Sequence, residues 1–497
     1  MNEMNQRPNV WLIMTDQQRW DTLGCYGNEI IETVNLDYFA VNGTVFENGY
    51  TSTPSCIPAR ATLLTGQDPW NVGILGMGAG QGPAQLLENT LPESLAAAGY
   101  HTQCVGKMHV MPQRSLQGFH NILLDESSRV VDPKFESDYV KWFNENRPAD
   151  VDRQAHGIGW NSWMARPWHL PEYLHPTAWT AAKSIEFIDR RDPTKPFFLK
   201  TSFARPHSPY DPPPYYFDLY NNKKLPEPAI GDWAGIHDVP RDAADPNAWH
   251  GKRKPEEIHR ARAGYYGNIN FIDHQIGCVR LHLERAGLLN NTMIVFVSDH
   301  GDMMGDHHMW RKTHAYEGSA HIPFIVSLPK SWGEDVRERA DAPVCLQDVM
   351  PTILDACGAE IPETVDGKSV LPIMRGEKEK TRDYVHGEHT ASASLSQEMQ
   401  YLTDGKWKYI WFPRTNEEQL FHLENDPYET HDLADDAQAG STLKAWRKRL
   451  IEVLKPRRAG LVKNNKLVCQ EGKPPLVSPH YAERIKRMKE KIGACRQ

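Results

Sequence analysis

Apolar residues in this chain come in two textures. Four short runs are almost wholly apolar: residues 10–14 (VWLIM), 196–201 (PFFLKT), 293–297 (MIVFV) and 322–327 (IPFIVS). Such runs suit strands buried on both faces, because both sets of alternating side chains then meet protein. Elsewhere the spacing becomes helical. Across 255–286, Tyr265, Ile269, Ile272, Ile276, Val279 and Leu283 recur at steps of four and three, one face of a helix, and Gly287 is its stop. A shorter helix is predicted over 91–98, closing at Gly99 before a strand over 101–105. Strands alternating with helices predict an α/β domain, a mostly parallel mixed sheet flanked by helices. Ligands in such folds bind beyond the carboxyl ends of the strands, where Asp16 and Asp299 fall.

The texture changes after the charged stretch 375–382 (RGEKEKTR), the best linker candidate. Residues 401–411 (YLTDGKWKYIW) read as two short strands around Asp404-Gly405, a hairpin signal. Another strand over 419–423 and a helix with basic residues over 443–454 follow. The expected division is a catalytic domain over 1–382 and a smaller C-terminal α+β domain with an antiparallel sheet over 383–497. A chain of 497 residues is too long for one compact core, which agrees with two domains.

Composition excludes more than it assigns. A formal net charge of −8 argues against a nucleic-acid partner, which needs a basic surface. The eight cysteines form no CxxC pair, so neither a zinc ribbon nor a redox dithiol is suggested. The first residues, MNEMNQRPNV, hold no apolar core of a signal peptide, and no apolar run reaches membrane-span length. The chain as given is expected in the cytoplasm, away from membranes.

The segment that carries chemistry is Ser55-Cys56-Ile57-Pro58-Ala59-Arg60, continuing to Leu64-Thr65-Gly66. Pro58 suits the first turn of a helix, so Cys56 sits at a helix N-terminus, where free N–H groups and the dipole favour an anion. Arg60, four residues on, shares its face. A cysteine-dependent phosphatase would place its arginine six residues after the cysteine, where Thr62 stands. A buried cysteine at the head of a helix is the plain alternative. Against it, the segment resembles the sulfatase signature, Cys-x-Pro-x-Arg followed by Leu-Thr-Gly, with Ala59 where serine is common.

The resemblance implies a type I sulfatase of the alkaline phosphatase superfamily, in which a maturation enzyme oxidises the cysteine, here Cys56, to formylglycine. A hydroxyl of the hydrated aldehyde attacks sulfur, and the second hydroxyl later expels sulfate. Asp16-Gln17 and Asp299-His300 fall where the family's metal ligands follow their strands, with matured Cys56 as a further ligand. Gln17 stands in place of a second aspartate and His300 where asparagine is frequent. One divalent metal is implied: Ca²⁺ is named first for its oxygen ligands, and the imidazole keeps Mn²⁺, with Mg²⁺, as alternatives. Gly106-Lys107-Met108-His109 resembles the segment whose lysine binds a sulfate oxygen and whose histidine assists aldehyde re-formation. Arg205-Pro206-His207 resembles the loop whose histidine contacts the ester oxygen, and Lys312 precedes Tyr316-Glu317 in the family spacing. The implied catalytic set is Cys56, Arg60, Lys107, His109, His207 and Lys312, with Asp299 aiding nucleophile activation.

Three rival readings have named discriminators. A formylglycine-dependent phosphonate monoester or phosphodiester hydrolase can share Asp-Gln and Asp-His at the metal, but Lys107 and His109 favour sulfate. A non-catalytic glycan-binding relative would have lost Cys56, Arg60 or a ligand, and none is lost. A thiolate hydrolase would work with unoxidised Cys56. The expected substrate is a sulfated carbohydrate or a small aryl or alkyl sulfate. Two long insertions, 144–177 and 231–250, hold Trp160, Trp163, Arg166, Trp168, His169, Trp233 and His237, which either wall the pocket or pack the loops.

Overall fold

The computed structural model describes residues 7–77, 87–127, 134–238 and 245–494. The apolar runs form the middle of an eight-stranded sheet built from β1 (Asn9–Asp16), β2 (Thr44–Tyr50), β3 (His101–Gly106), β4 (Asn121–Leu124), β5 (Phe197–Pro206), β6 (Thr292–Ser298), β7 (Phe324–Ser327) and β8 (Arg339–Cys345). Their order is β4-β3-β5-β1-β6-β7-β2-β8. Every residue of β1, β5 and β6 is buried. All pairings are parallel except those of β7 with β6 and β2. The run at 322–327 joins the ladder only from Phe324, and Pro323 before it has no N–H to give. The edge strand β8, with Arg339 and Asp341 facing solvent, lacked the continuous apolar signal, as did β2 with its half-buried Glu47 and Asn48.

Alternation along β1 divides the core. Val10, Leu12 and Met14 face one layer, and Trp11 and Ile13 face the other. The first layer holds α1 (Cys56–Thr65), buried along its whole length, and α2 (Leu91–Ala97), which opens with a Thr90–Glu93 capping box. The second holds the long helix α3 (Pro255–Arg285), whose six periodic residues from Tyr265 to Leu283 are all buried.

A second, antiparallel sheet has the order β12-β11-β10-β9, from β9 (Val385–His389), β10 (Met399–Thr403), β11 (Trp407–Trp411) and β12 (Glu418–His422). The turn between β10 and β11 is closed by Asp404, whose Oδ1 accepts from the N–H groups of Lys406 and Trp407. One face of this sheet, with Met399, Tyr401, Ile410 and Phe421, packs on Met303, Met309 and Tyr316. The other, with Leu402, Tyr409 and Trp411, packs on α4 (Gly440–Leu454). The stretch at 375–382 is pinned and not slack: Arg375 pairs with Glu334 at 2.8 Å, and the Arg382 guanidinium sits on Asp348. Among the described residues, no helix is long and apolar enough to cross a membrane.

Candidate active site

The site lies where four strands of the large sheet end. β1 stops at Asp16, and Gln17 turns the chain through a left-handed conformation, φ 70°. β6 ends alongside, so Asp299-His300 abuts Asp16-Gln17: the Gln17 N–H donates to Asp299 Oδ1 at 3.0 Å. β3 delivers Lys107, whose N–H donates to the Ser202 carbonyl of β5. After β5, the His207 N–H donates to the Asp16 carbonyl at 2.9 Å. Into this junction points the first residue of α1, Cys56.

Asp16, Cys56, Asp299 and His300 each offer one ligand atom within 4.8 Å of the others, and all four are buried. His300 Nδ1 faces the Gly301 carbonyl at 2.9 Å, which places the proton on Nδ1 and leaves the Nε2 lone pair for the cluster. That Nε2 lies 3.2 Å from Cys56 Sγ and 3.5 Å from Asp299 Oδ1. The Gln17 amide donates to Asp302 Oδ2 and turns its oxygen inward, 2.9 Å from Lys312 Nζ. Two carboxylates, an amide oxygen and one imidazole lone pair are a donor set that fits a hard divalent cation. A metal held by Asp16, Gln17, Asp299 and His300 would supply positive charge beside the Cys56 side chain.

Cations converge on the same point. Lys312 Nζ lies 3.1 Å from Cys56 Sγ, and Lys107 Nζ lies 3.8 Å away while pairing with Asp16. Arg60 is fully enclosed: its Nε donates to Asp299 Oδ2 at 2.9 Å, Nη2 to Asp16 Oδ2 at 3.2 Å, and Nη1 to the Lys107 carbonyl and Ser202 Oγ. It braces both aspartates from behind. Burial and Asp16 push the Cys56 thiol up, but Lys107 and Lys312 outweigh them and hold it down at about 6. Burial also pushes the Asp16 carboxyl up, yet Lys107, His207, Arg60 and Lys312 keep it well below the carboxylate range. The pocket at Cys56 is built to hold negative charge.

Of the residues singled out from sequence, the structure gathers Asp16, Gln17, Cys56, Arg60, Lys107, Asp299, His300 and Lys312 around one point. His109 and His207 are tied in through their backbones. His109 is buried in a left-handed conformation, φ 55°, with its N–H donating to Glu126 Oε1 at 2.8 Å. His207 is buried, with Nδ1 facing the Ser208 carbonyl and Trp160 edge-on to its ring at 6.2 Å. Sequence reasoning missed Glu126, which also accepts from the Met108 N–H, and Asp302, which holds Gln17 and the Tyr210 hydroxyl. It also missed Lys200, which burial pulls down to about 8 on the floor beneath Lys107. Asp302 was readable as the last residue of Asp299-His300-Gly301-Asp302; Glu126 carried no local signal.

The insertions divide. Trp163 and Trp168 are core residues, with Trp163 Nε1 donating to the Asp245 carbonyl and the Arg253 guanidinium over its ring. Trp233 is a clasp, stacked on Tyr316 and donating to the Glu429 carbonyl. His169 faces the Asp152 carbonyl and the Arg166 guanidinium donates to the His156 carbonyl, both at the exposed surface. His237 packs against Trp249 and His250. Residues 239–244 of the second insertion lie outside the described residues. Among these tryptophans Trp160 has its ring against a residue of the implied catalytic set, and it lines a cleft together with Trp168, Arg153 and Arg205.

The sequence matches the sulfatase family over residues 8–359 and the N-sulphoglucosamine sulphohydrolase C-terminal family over 305–456. It is 45% identical over 473 residues to an arylsulfatase of Clostridium perfringens, covering 93% of this chain and 97% of that one. A choline-sulfatase of Rhizobium meliloti is 30% identical, covering 89% and 86%. The fold is shared with the phosphonate monoester hydrolase of Agrobacterium radiobacter, at TM-score 0.77, 24% identity and coverage of 94% and 100%. It is also shared, at TM-score 0.71, 22% identity and coverage of 90% and 98%, with a protein solved with its substrate D-glucosamine-2-N,6-O-disulfate.

Proposed function

The chain belongs to the sulfatase family and is a sulfuric ester hydrolase; from that premise we propose that formylglycine made from Cys56 is its nucleophile and that small sulfate monoesters, aryl or sugar, are its substrates. The observation that carries the reading is the convergence of Lys107, Lys312 and His300 on Cys56 Sγ, within 3.8 Å. Formylglycine, when present, supplies a hydrated aldehyde whose hydroxyl attacks sulfur. The metal, for which Ca²⁺ is the first candidate, would be held by Asp16, Gln17, Asp299 and His300 and would stabilise negative charge at that side chain.

The remaining roles belong to the chain's own side chains. Lys107 and Lys312, both buried beside Cys56, would face the anionic sulfate group and offset its charge where fixed cations act most strongly. Arg60 keeps Asp16 and Asp299 aimed, its Nε donating to Asp299 Oδ2 while the Gln17 N–H donates to Oδ1. His207 and Lys312 stand at the leaving oxygen, and His109 assists re-formation of the aldehyde. Supporting a small substrate, Trp160 is the aromatic wall beside His207, and the likeness to an arylsulfatase points the same way.

The test is a substrate panel on protein co-expressed with a formylglycine-generating enzyme, with the residue at 56 read by peptide mass spectrometry. Formylglycine at 56, turnover of aryl and sugar sulfates, and loss of turnover in Cys56→Ala are expected. A kcat/KM for phosphodiesters above that for every sulfate ester would assign the chain to the phosphonate hydrolase branch instead.

A further inference from the structure

Ser55 occupies the N-cap of α1 in an extended conformation, φ −159° and ψ 150°, yet caps nothing. A serine there ordinarily accepts from the second or third N–H of its helix. Pro58, the third residue of α1, has no N–H, and the Ser55 hydroxyl makes no bond to Ile57 either. It lies instead 2.7 Å from Nε2 of His389, the last residue of β9 in the second sheet. The direction of that bond is fixed. His389 Nδ1 faces the Thr390 carbonyl, so Nδ1 carries the proton and Nε2 accepts from Ser55 Oγ. Burial pulls the imidazole down to about 4, so it stays neutral at physiological pH.

The contact is one of several that the second sheet makes with the segment leading into the nucleophile. The Glu388 N–H donates to the Ser52 carbonyl at 2.8 Å, and the Tyr401 hydroxyl donates to the Thr51 carbonyl at 2.5 Å. From the catalytic loop, the Thr313 N–H donates to the Pro54 carbonyl at 2.9 Å. Only His389 grips a side chain, on the residue that immediately precedes Cys56. A turn of α1 about its axis would swing Cys56 out from between Lys107 and Lys312; Arg60 and the packing of the helix resist it from within α1, and Ser55 resists it at the N-terminal end, next to Cys56.

We propose that His389 is a positioning residue for the reaction: by holding the Ser55 hydroxyl it fixes the aim of the residue-56 side chain, and so gives the second sheet a part in catalysis. This rests on residue 56 being the nucleophile. It is separable from stability, because Ser55→Ala removes one hydroxyl and leaves the packing in place.

The experiment is a double-mutant cycle on matured enzyme, with rates normalised to formylglycine content measured by mass spectrometry. His389→Ala and Ser55→Ala should each lower kcat about tenfold or more, with KM changed less than about twofold, since misaim of about an ångström costs the chemical step and not binding. The double variant should be no worse than either single one. His389→Gln, which puts a carbonyl oxygen near the position of Nε2, should recover most of the loss. Multiplying effects, effects confined to KM, or unchanged normalised kcat in Ser55→Ala would overturn the proposal. If Cys56→Ala turned over sulfate esters as the parent does, the nucleophile assignment would fail, and that result is distinct from any outcome of the cycle.

Discussion

Two buried charged clusters in this chain, one around Cys56 and one around Lys408, behave as opposites. Around Cys56, Lys107 and Lys312 converge on a single side chain, and the aspartates and His300 beside it turn donor atoms toward a common centre. Around Lys408, everything is closed. Its ammonium, fully buried, pairs with Glu317 and with Glu429 at 3.1 Å, donates to the Ala315 carbonyl at 2.8 Å, and lies over the rings of Tyr50 and Tyr401. Glu317 is held in turn by His321, and Glu429 accepts from the Glu317 N–H at 2.7 Å. The same motif supplies both: Lys312 serves the first cluster, and Glu317 the second. Burial of charge does not by itself mark function. What marks it is charge whose partners leave a place for something else.

The largest effect should come from removing the open cluster's carboxylates. Asp299→Ala deletes a ligand and the brace for Arg60 together, so metal content by mass spectrometry and sulfate-ester turnover should both fall, the latter by about three orders of magnitude. Exhaustive chelation of the parent enzyme should do the same, and full activity in metal-free protein would remove the basis for calling that cluster open.

Parallel lysine substitutions test the contrast itself. Lys312→Met should lower kcat about a hundredfold or more while leaving the thermal midpoint unchanged or raised, because it relieves crowding among cations. Lys408→Met should instead cost about 3–5 kcal/mol in denaturant unfolding, because it strands two buried glutamates. If both lowered stability equally, the comparison would break.

A smaller split is expected between tryptophans. Trp160→Ala should raise KM a few-fold, on the order of 1 kcal/mol, and more for a sugar sulfate than for a small aryl sulfate. Trp163→Ala should lower stability by about 3–5 kcal/mol, as loss of a buried aromatic does, and spare KM.

The smallest effect concerns pH. Burial and the neighbouring Glu317 push the Glu429 carboxyl up to about 7 against the pull of Lys408, whereas Glu317 is held low by Lys408 and His321. A carboxyl raised in the folded state binds its proton more tightly there. Its contribution is therefore full below the unfolded value of about 4.5 and is lost as pH rises toward 7. Glu429→Gln should flatten the fall in stability between about pH 5 and 7 and cost less than about 1 kcal/mol at pH 8. A variant whose stability fell with pH as steeply as the parent's would show that Glu429 is not the group that titrates.

The sequence made the middle of the sheet legible because β1, β5 and β6 are buried on both faces and so are written as unbroken apolar runs. It made α3 legible because one side of that helix is apolar at a strict period. The edge strand β8 was not, since Arg339 and Asp341 face water at its start and break the apolar run. The site follows the same rule. Residues inside short local patterns, from Cys56 to Arg60 and from Gly106 to His109, could be read directly. Glu126 and His389 act across the fold, on the His109 backbone and the Ser55 hydroxyl, and nothing in their immediate neighbours announces it. The tryptophans were counted together because composition does not tell a wall from a wedge; Trp160 lies against His207, and Trp163 in the core.

Cys56 has none of its surface exposed, and the side chains around it come from positions as far apart as Asp16 and Lys312. The pocket therefore shuts only when distant parts of the chain have come together. An enzyme that oxidised this cysteine, as proposed above, would have to reach it earlier, while the chain is still open, and its work would be a race against folding. A molecule that folds first carries a thiol sealed beyond the reach of another protein. On the proposed chemistry, the catalytic fate of each copy would then be decided once, by the clock of its own synthesis, and the fraction of active molecules in a preparation would record how that race was run.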